Sequence, residues 1–486
     1  MNARRIHLAL VAAAVLAPAV MADEYTVSEA ERKKIEQKLA GTYNPLSFYD
    51  GKVVLDAQER IRAEYRANNV RFNDDIDDDT DTFFLQRARI GLSLKPVPYF
   101  KAYTQVQDSR EIDSTRVSPI GNANLEEAEF DVRQANIEIA DYSKQPLGLK
   151  VGRQELIYGD ERLVGAFDWN NVARVFDAAK LRWQKNKDSV DLFFANVVLN
   201  NIFSERDGSL DDKADSADDL YGIYGQSTFL KFQTTEGYVL YRDKNDAEFD
   251  GPAREIWTVG TRMKSTPRLA PWDYYAEFAY QDGEIESPGQ AANRRFGDNA
   301  TNTVVDHAAF AALLGVGYSC VDSPWQPRFG LEYNYATGDE DPTDKENETF
   351  DNLLPTNHKF FGYMDLFAWK NIHNPRFMVT AQPTTALKLQ LDVHSFWLAE
   401  DKDFWYRANQ APAAPGRRNA KGLADPYVGS EIDLTFWYTL NKRVSFHGGL
   451  GYFFAGDFVE DTAGTPDALN GSDDAQFAYL QTVVNF

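Results

Sequence analysis

From Gly51 to the C-terminus, apolar and polar residues alternate with a period of two, in segments that commonly reach about ten residues or more. This constrains the fold more than any other feature. In "KVVLDAQERIRAEYR", Val53, Leu55, Ala57, Ile61, Ala63 and Tyr65 share one face, while Lys52, Asp56, Gln58, Arg60, Arg62, Glu64 and Arg66 share the other. Eighteen such segments are predicted, at about 52–66, 82–95, 99–109, 128–141, 147–156, 174–185, 188–198, 219–231, 235–243, 254–264, 271–281, 304–319, 326–337, 370–382, 385–399, 426–440, 442–455 and 474–486.

Their connections alternate in length. The links at 96–98, 186–187, 383–385 and 440–442 are tight, whereas those at 110–127, 157–173, 199–218, 282–302, 338–369, 400–425 and 456–473 are long. A soluble β-sandwich has no reason to send all its long loops to one end over nine hairpins. A bacterial outer-membrane barrel does, with short periplasmic turns and long external loops. The segments also match the nine to eleven or so residues a tilted strand needs to cross the hydrocarbon layer, against about five or six in ordinary globular strands. The expected fold is therefore all-β: a transmembrane antiparallel β-barrel of about eighteen strands, of outer-membrane porin type, over 51–486.

The final strand, "AQFAYLQTVVNF", places Ala478, Leu480, Thr482, Val484 and Phe486 on one face. A terminal aromatic on an alternating strand is similar to the signal read by the barrel-assembly machinery, which is an expected partner. Tyr99, Phe100, Trp183, Trp272, Tyr274, Tyr275, Trp437 and Tyr438 lie near predicted strand ends and are expected to form interfacial aromatic girdles.

Composition fits an exported barrel. The chain is 43% hydrophobic and 13% aromatic, too apolar for global disorder. Residues 1–22 carry Arg4 and Arg5, an apolar core over 6–20 and a small residue at Ala22, the layout of a cleaved signal peptide, with 23–50 as a periplasmic lead-in. After residue 22 no run of about eighteen apolar residues follows, so no membrane-spanning helix is expected. The lone Cys320 cannot form an internal disulfide. The formal net charge is -23, and loss of Arg4 and Arg5 makes it about -25, which excludes nucleic acid as a natural partner.

Taking the apolar face of each strand as lipid-facing gives the inward cations. Arg60, Arg62 and Arg66 fall on the first strand, Arg87 and Arg89 on the second, and Lys180, Arg182, Arg262, Arg328, Arg376 and Lys388 on later ones. Asp56, Glu64, Asp273, Glu277, Glu332, Asp392, Glu431 and Asp433 point inward by the same test. Some arginines can therefore brace the wall as ion pairs rather than serve a permeant. The grouping of Arg60, Arg62, Arg87 and Arg89 on two adjacent strands favours a functional role there.

The stretch "LKVGRQELIYGDERLVGAFDWNNVARVFDAAKLRW", read as a strand, a loop and a returning strand, resembles the alginate-export family of outer-membrane porins. The segments at 86–96, 106–110, 131–139, 364–372 and 445–458 extend the resemblance over most of the chain. It implies a monomeric eighteen-stranded barrel that passes anionic saccharides or a uronate polysaccharide through an arginine-lined lumen by passive diffusion. Guanidinium suits that role because it binds carboxylates in a bidentate manner and does not deprotonate. The resemblance also places Arg133 and Arg153 at the constriction. Simple alternation puts Arg133 with Ile137 and Ile139, and Arg153 with Leu149 and Val151, so a β-bulge is needed to turn each inward. Where the family's alginate exporter has an arginine before the Gly448–Gly449–Leu450 run, this chain has His447, a weaker cation at neutral pH.

Within 155–171, Gly159 and Gly165 allow turns, and Asp160, Glu161 and Arg162 either gate a channel or cross-link the loop; cross-linking is the favoured reading. The acidic runs at 73–81, 207–219 and 337–351 lack the complete calcium-loop pattern and read as solvated external loops; no cofactor is expected, and any bound Ca2+ would tighten loops or bridge lipopolysaccharide phosphates. Other expected partners are outer-membrane lipid, lipopolysaccharide, an anionic saccharide and, on the export reading, a periplasmic secretion scaffold. Two alternatives stand beside export: a general or small-solute porin of the same fold, and an outer-membrane barrel enzyme. The enzyme is disfavoured because His307, His358, His373, His394 and His447 lie in no nucleophile motif.

Overall fold

A computed structural model describes residues 46–76, 79–115, 126–199, 213–230, 232–245, 253–265, 271–286, 304–413, 417–419, 421–465 and 467–486. The expected signal peptide, most of the lead-in, and large parts of the loops at 110–127, 199–218 and 282–302 lie outside them.

The strands are β1 (Leu46–Phe48), β2 (Val53–Ala67), β3 (Thr80–Val97), β4 (Phe100–Ile112), β5 (Ala128–Ala140), β6 (Leu147–Gln154), β7 (Phe176–Lys185), β8 (Asp188–Leu199), β9 (Lys213–Ser227) and β10 (Gln233–Lys244). They continue with β11 (Arg254–Ser265), β12 (Trp272–Glu286), β13 (Val304–Ser319), β14 (Arg328–Ala336), β15 (Glu346–Asn347), β16 (Ile372–Ala381), β17 (Leu387–Trp397), β18 (Tyr427–Thr439), β19 (Val444–Ala455) and β20 (Ala475–Asn485). Apart from the short β1 and β15, these form one closed antiparallel barrel of eighteen strands, with β20 returning to pair with β2. Closure leaves no sheet edge for lipid to strip of its hydrogen bonds. β1 pairs with the start of β2 and carries on the line of β20, whose following residue Phe486 donates its N–H to the Ala57 carbonyl at 2.8 Å. The one described α-helix runs only from Asp457 to Asp461.

The two faces are inverted relative to a water-soluble protein. Outward, Ile90 is 58% exposed and Leu314 66%; inward, Arg62 is 0% and Arg87 1% exposed. Only a lipid surround makes that distribution favourable. Tyr99, Trp183, Trp272 and Tyr274 are exposed on the outer face, as girdle residues must be. Tyr275 and Trp437 are not girdle residues. Their parity turns them inward, where the Tyr275 hydroxyl donates to Glu332 at 2.7 Å and Trp437 stacks on His447 at 4.7 Å between centroids.

The long loops at 338–369 and 400–425 do not simply project into solvent. They fold back and supply the large aromatics at the centre of an apolar core held inside the barrel, around Phe361, Trp369 and Trp405. Phe367 stacks on Phe396 of β17 at 3.6 Å, and the indole N–H groups of Trp369 and Trp405 donate to the carbonyls of Tyr335 and Leu366 at 3.0 and 2.9 Å. A buried loop must satisfy its own backbone. Here inward carboxylates do part of that: Glu431 accepts the Met364 N–H at 3.0 Å and Asp433 that of Tyr363 at 3.3 Å.

Candidate functional site: an inward arginine cluster capped by a loop

The loop between β6 and β7 also enters the barrel, pinned at both ends. Asp160 contacts Arg262 at 2.5 Å and Lys264 at 2.8 Å; burial pushes its carboxyl up, but Arg262 and Lys264 outweigh this and hold it down at about 2. Arg162 reaches Glu332 at 3.3 Å and lies 3.9 Å over the Phe360 ring. Glu161 accepts from Lys359 at 3.2 Å and from the Ala166 N–H at 3.2 Å. These three charges cross-link the loop. Backbone bonds Gly165 N–H to Leu354 carbonyl, 2.9 Å, and Leu354 N–H to Leu163 carbonyl, 2.8 Å, join it to the loop before β16. Gly165 is required there, since a Cβ would meet Glu161 and Thr356 at 2.6 Å.

So held, residues 168–171 lie against the arginines of β2 and β3. Arg60 donates to the Asp168 carbonyl at 2.6 Å and to Asn171 Oδ1 at 3.1 Å. Arg87 and Arg89 reach the Asp168 carboxylate at 3.1 and 2.8 Å. Arg62 donates to the Trp169 carbonyl at 2.7 Å and lies 3.8 Å over its indole, whose other face stacks on His358 at 3.7 Å. Three guanidiniums thus gather on one loop aspartate, leaving excess positive charge. Burial pushes the Asp168 carboxyl up, yet Arg87, Arg89 and Arg60 together hold it well below the usual carboxylate range.

Arg133 joins this wall through a bulge. Gln105 pairs with Gln134 and Val106 with Val132, so Arg133 is the extra residue and turns inward, 2% exposed, to contact Glu155 at 2.6 Å. Arg153 does not turn inward, contrary to the expectation. The β5–β6 register runs without interruption up to it and the β6–β7 register continues past it, so it stays on the outer face with Val151 and pairs across the rung with Asp177 at 2.9 Å. Gly152 takes a φ of +112° where a Cβ would strike the Ala135 carbonyl, but the pairing does not slip.

The remaining cations are distributed around the wall. Arg66 is held by Glu64 at 2.8 Å, Arg182 by Asp191 at 2.6 Å, Arg328 by Asp273 at 2.5 Å and Arg376 by Asp392 at 2.7 Å. Arg262 contacts Glu236 in addition to Asp160, and Lys180 reaches Asp191 only at 3.8 Å. The Arg182, Arg262 and Arg376 pairs brace neighbouring strands, Arg66 pairs within β2, and Arg328 reaches across β13. Lys388 lies 4.3 Å over Trp437, and His447 Nε2 meets the Tyr479 hydroxyl at 2.8 Å. His447 therefore belongs to an aromatic cluster with Trp437, Tyr479 and Trp169 rather than to the arginine group. Among the described residues no set of His, Cys, Asp and Glu is arranged to hold a metal ion.

The loop residues Asp168, Trp169 and Asn171 were not among the sequence candidates. Their signal was the density of polar and aromatic residues in 168–171, which a solvated turn does not need.

The family described as alginate export matches residues 52–468. No curated protein matches the chain. Among solved structures, Acinetobacter baumannii OccAB1 is similar with a TM-score of 0.54 at 12% identity, covering 89% of this chain and 96% of that one. The outer membrane protein OprD from Pseudomonas aeruginosa is similar with a TM-score of 0.52 at 10% identity, covering 90% and 94%. At such identities the structures speak for the fold. Family and fold together make this an outer-membrane channel protein embedded in lipid. The chain belongs to the alginate-export family of bacterial outer-membrane β-barrels.

Proposed function

We propose that this barrel passes carboxylate-bearing saccharides, a uronate polymer among them, by diffusion along Arg60, Arg62, Arg87, Arg89 and Arg133, with Asp168 standing in for the permeant's carboxylate when none is present. The observation that carries this reading is the sharing of one carboxylate between Arg87 and Arg89, with the Arg60 guanidinium on the backbone carbonyl of the same aspartate. The Asp168 side chain is 54% exposed although its partners Arg87 and Arg89 are 1% and 8% exposed. Arg60 Nε, Arg87 Nε, Arg89 Nη2 and Arg133 Nε have no hydrogen-bond acceptor among the described residues. Those nitrogens are buried, so a uronate carboxylate arriving from the lumen meets the exposed Asp168 first and reaches the guanidiniums by displacing it. Weak binding at successive cations permits transit instead of capture. The reading assigns no catalytic step, and it allows a periplasmic scaffold to dock at the short-turn end.

The test is single-channel recording with polyuronate and with a neutral glucan of equal length. The reading expects concentration-dependent current block by the polyuronate only; equal block by both polymers overturns it.

A second reading, passage of small carboxylates, is favoured by the loop core around Trp369 and Trp405, which occupies space a polymer would need. OpdK from Pseudomonas aeruginosa, a similar barrel with a TM-score of 0.53 at 11% identity, is described with vanillate. Block that does not depend on oligomer length would favour this second reading.

A further inference from the structure

At the short-turn end of the wall formed by β4 to β7, cations outnumber the anions they face. Across successive rungs Lys101 faces Glu138, Glu138 faces Lys150, and Lys150 faces Lys180. Parity turns all four inward: Lys101 lies on the face of the buried Gln105 and Gln107, Lys150 on that of the buried Gln154, and Lys180 on that of the buried Ala178, while the lysines themselves are half-buried.

Two residues closer to the turn, Arg182 takes Asp191 in a bidentate pair at 2.6 and 2.7 Å, and the Tyr158 hydroxyl donates to the same carboxylate at 3.0 Å. That carboxylate is already committed, and Lys180 reaches it only at 3.8 Å. Lys101 and Lys150 make no ion pair among the described residues, although Lys101 lies 5.6 Å from the Tyr103 ring centre. Like charges directly opposite on antiparallel strands destabilise the pair. Lys150 opposite Lys180 is therefore a cost, relieved in part by Glu138 on the far side of Lys150 and by the distant Asp191.

Beside this row the inner wall opens into a cavity of about 610 Å³, lined by Arg182, Gln184, Lys187, Ser189, Gln226 and Thr234 among others. Its size suits a small-molecule site, and its amides and hydroxyls suit sugar hydroxyl groups. At about 3.3 Å per residue, Lys101 lies roughly 20 Å along β4 from Gln107, the partner of Arg89.

We propose that Lys101, Lys150, Lys180 and Arg182, with this cavity, form a vestibule site that captures a carboxylate-bearing saccharide at the periplasmic mouth, separate from the arginines around Asp168. The site rests on the permeant class proposed above. Its cations raise the local concentration of anionic chains and speed their arrival from that side.

The test uses the full-length protein in planar bilayers with a defined oligouronate added to one side at a time. The short-turn side is the one from which a bulky membrane-impermeant thiol reagent reaches Cys320, in the turn between β13 and β14. In Lys101→Gln/Lys150→Gln, the rate of block from the short-turn side falls at least threefold while block from the long-loop side keeps its rate. Lys101→Arg/Lys150→Arg restores the rate, which separates charge from folding. An unchanged rate, or an equal fall from both sides, overturns the vestibule site alone. Absence of block in the wild type from either side overturns the proposed permeant and this site with it.

Discussion

Asp168 Oδ1 lies 2.8 Å from Arg89 Nη1 and 3.1 Å from Arg87 Nη1, so one loop carboxylate bridges two arginines spaced by a single residue on the same strand. Asp168→Asn removes the only carboxylate paired with these two arginines among the described residues. Anion-over-cation permeability should rise, and stability should fall by about 1–2 kcal/mol, well below the cost of breaking a fully buried pair because the carboxylate is half-exposed. Reversal potentials in a salt gradient and a denaturant titration check both. Because the arginines hold this carboxyl far below the usual range, Asp168 should contribute no change in wild-type selectivity between pH 8 and pH 5.

Arg162 joins the inward loop to the wall through Glu332 and to the neighbouring loop through Phe360. Arg162→Ala leaves Glu332 with Arg376 at 3.7 Å as its remaining cation. It should cost about 3 kcal/mol and loosen both loops. The expected readouts are a lower unfolding midpoint and larger current noise at unchanged membrane insertion.

The loop carrying Asp339 should respond to pH. Burial, with Asp403, Asp344 and Glu348 nearby, pushes the Asp339 carboxyl up to about 7. In the opened loop it would titrate near its ordinary value of about 3.9. A raised acid is fully compatible with the closed loop while protonated, and the closed form loses stability as pH rises between about 4 and 7. Hydrogen exchange over 337–351, corrected for intrinsic rates, should therefore be faster at pH 8 than at pH 5, and Asp339→Asn should remove the difference.

Leu314 faces lipid on β13. Leu314→Arg should destabilise the barrel by about 2–3 kcal/mol in lipid, measured by reversible unfolding in vesicles. A neutral effect would mean that this face meets water.

Much of the fold was legible because a strand's two-residue period cannot be kept over fifteen residues by accident, and β2 shows it from Val53 to Ala67. The bulge at Arg133 was foreseeable because its parity conflicted with the arginine's expected direction. The same reasoning failed at Arg153. Asp177, directly opposite, gives an outward arginine a partner near the long-loop end, so no slip is needed. The inward loops were not legible from alternation, since they have none. Their aromatic density was the available signal: "HKFFGYMDLFAW" at 358–369 and "DFWY" at 403–406 are too apolar for solvated loops. The pairing of Asp168 with Arg87 and Arg89 joins positions 79 and more residues apart, a relation only tertiary structure supplies.

The central claim is that inward arginines of β3, capped by Asp168, set the channel's preference for anions. Its most direct test is the reversal potential of single channels in a potassium chloride gradient, compared between wild type and Arg87→Gln/Arg89→Gln. The account predicts an anion-selective wild type and a variant shifted towards cations. A cation-selective wild type, or a variant with the same reversal potential, contradicts it.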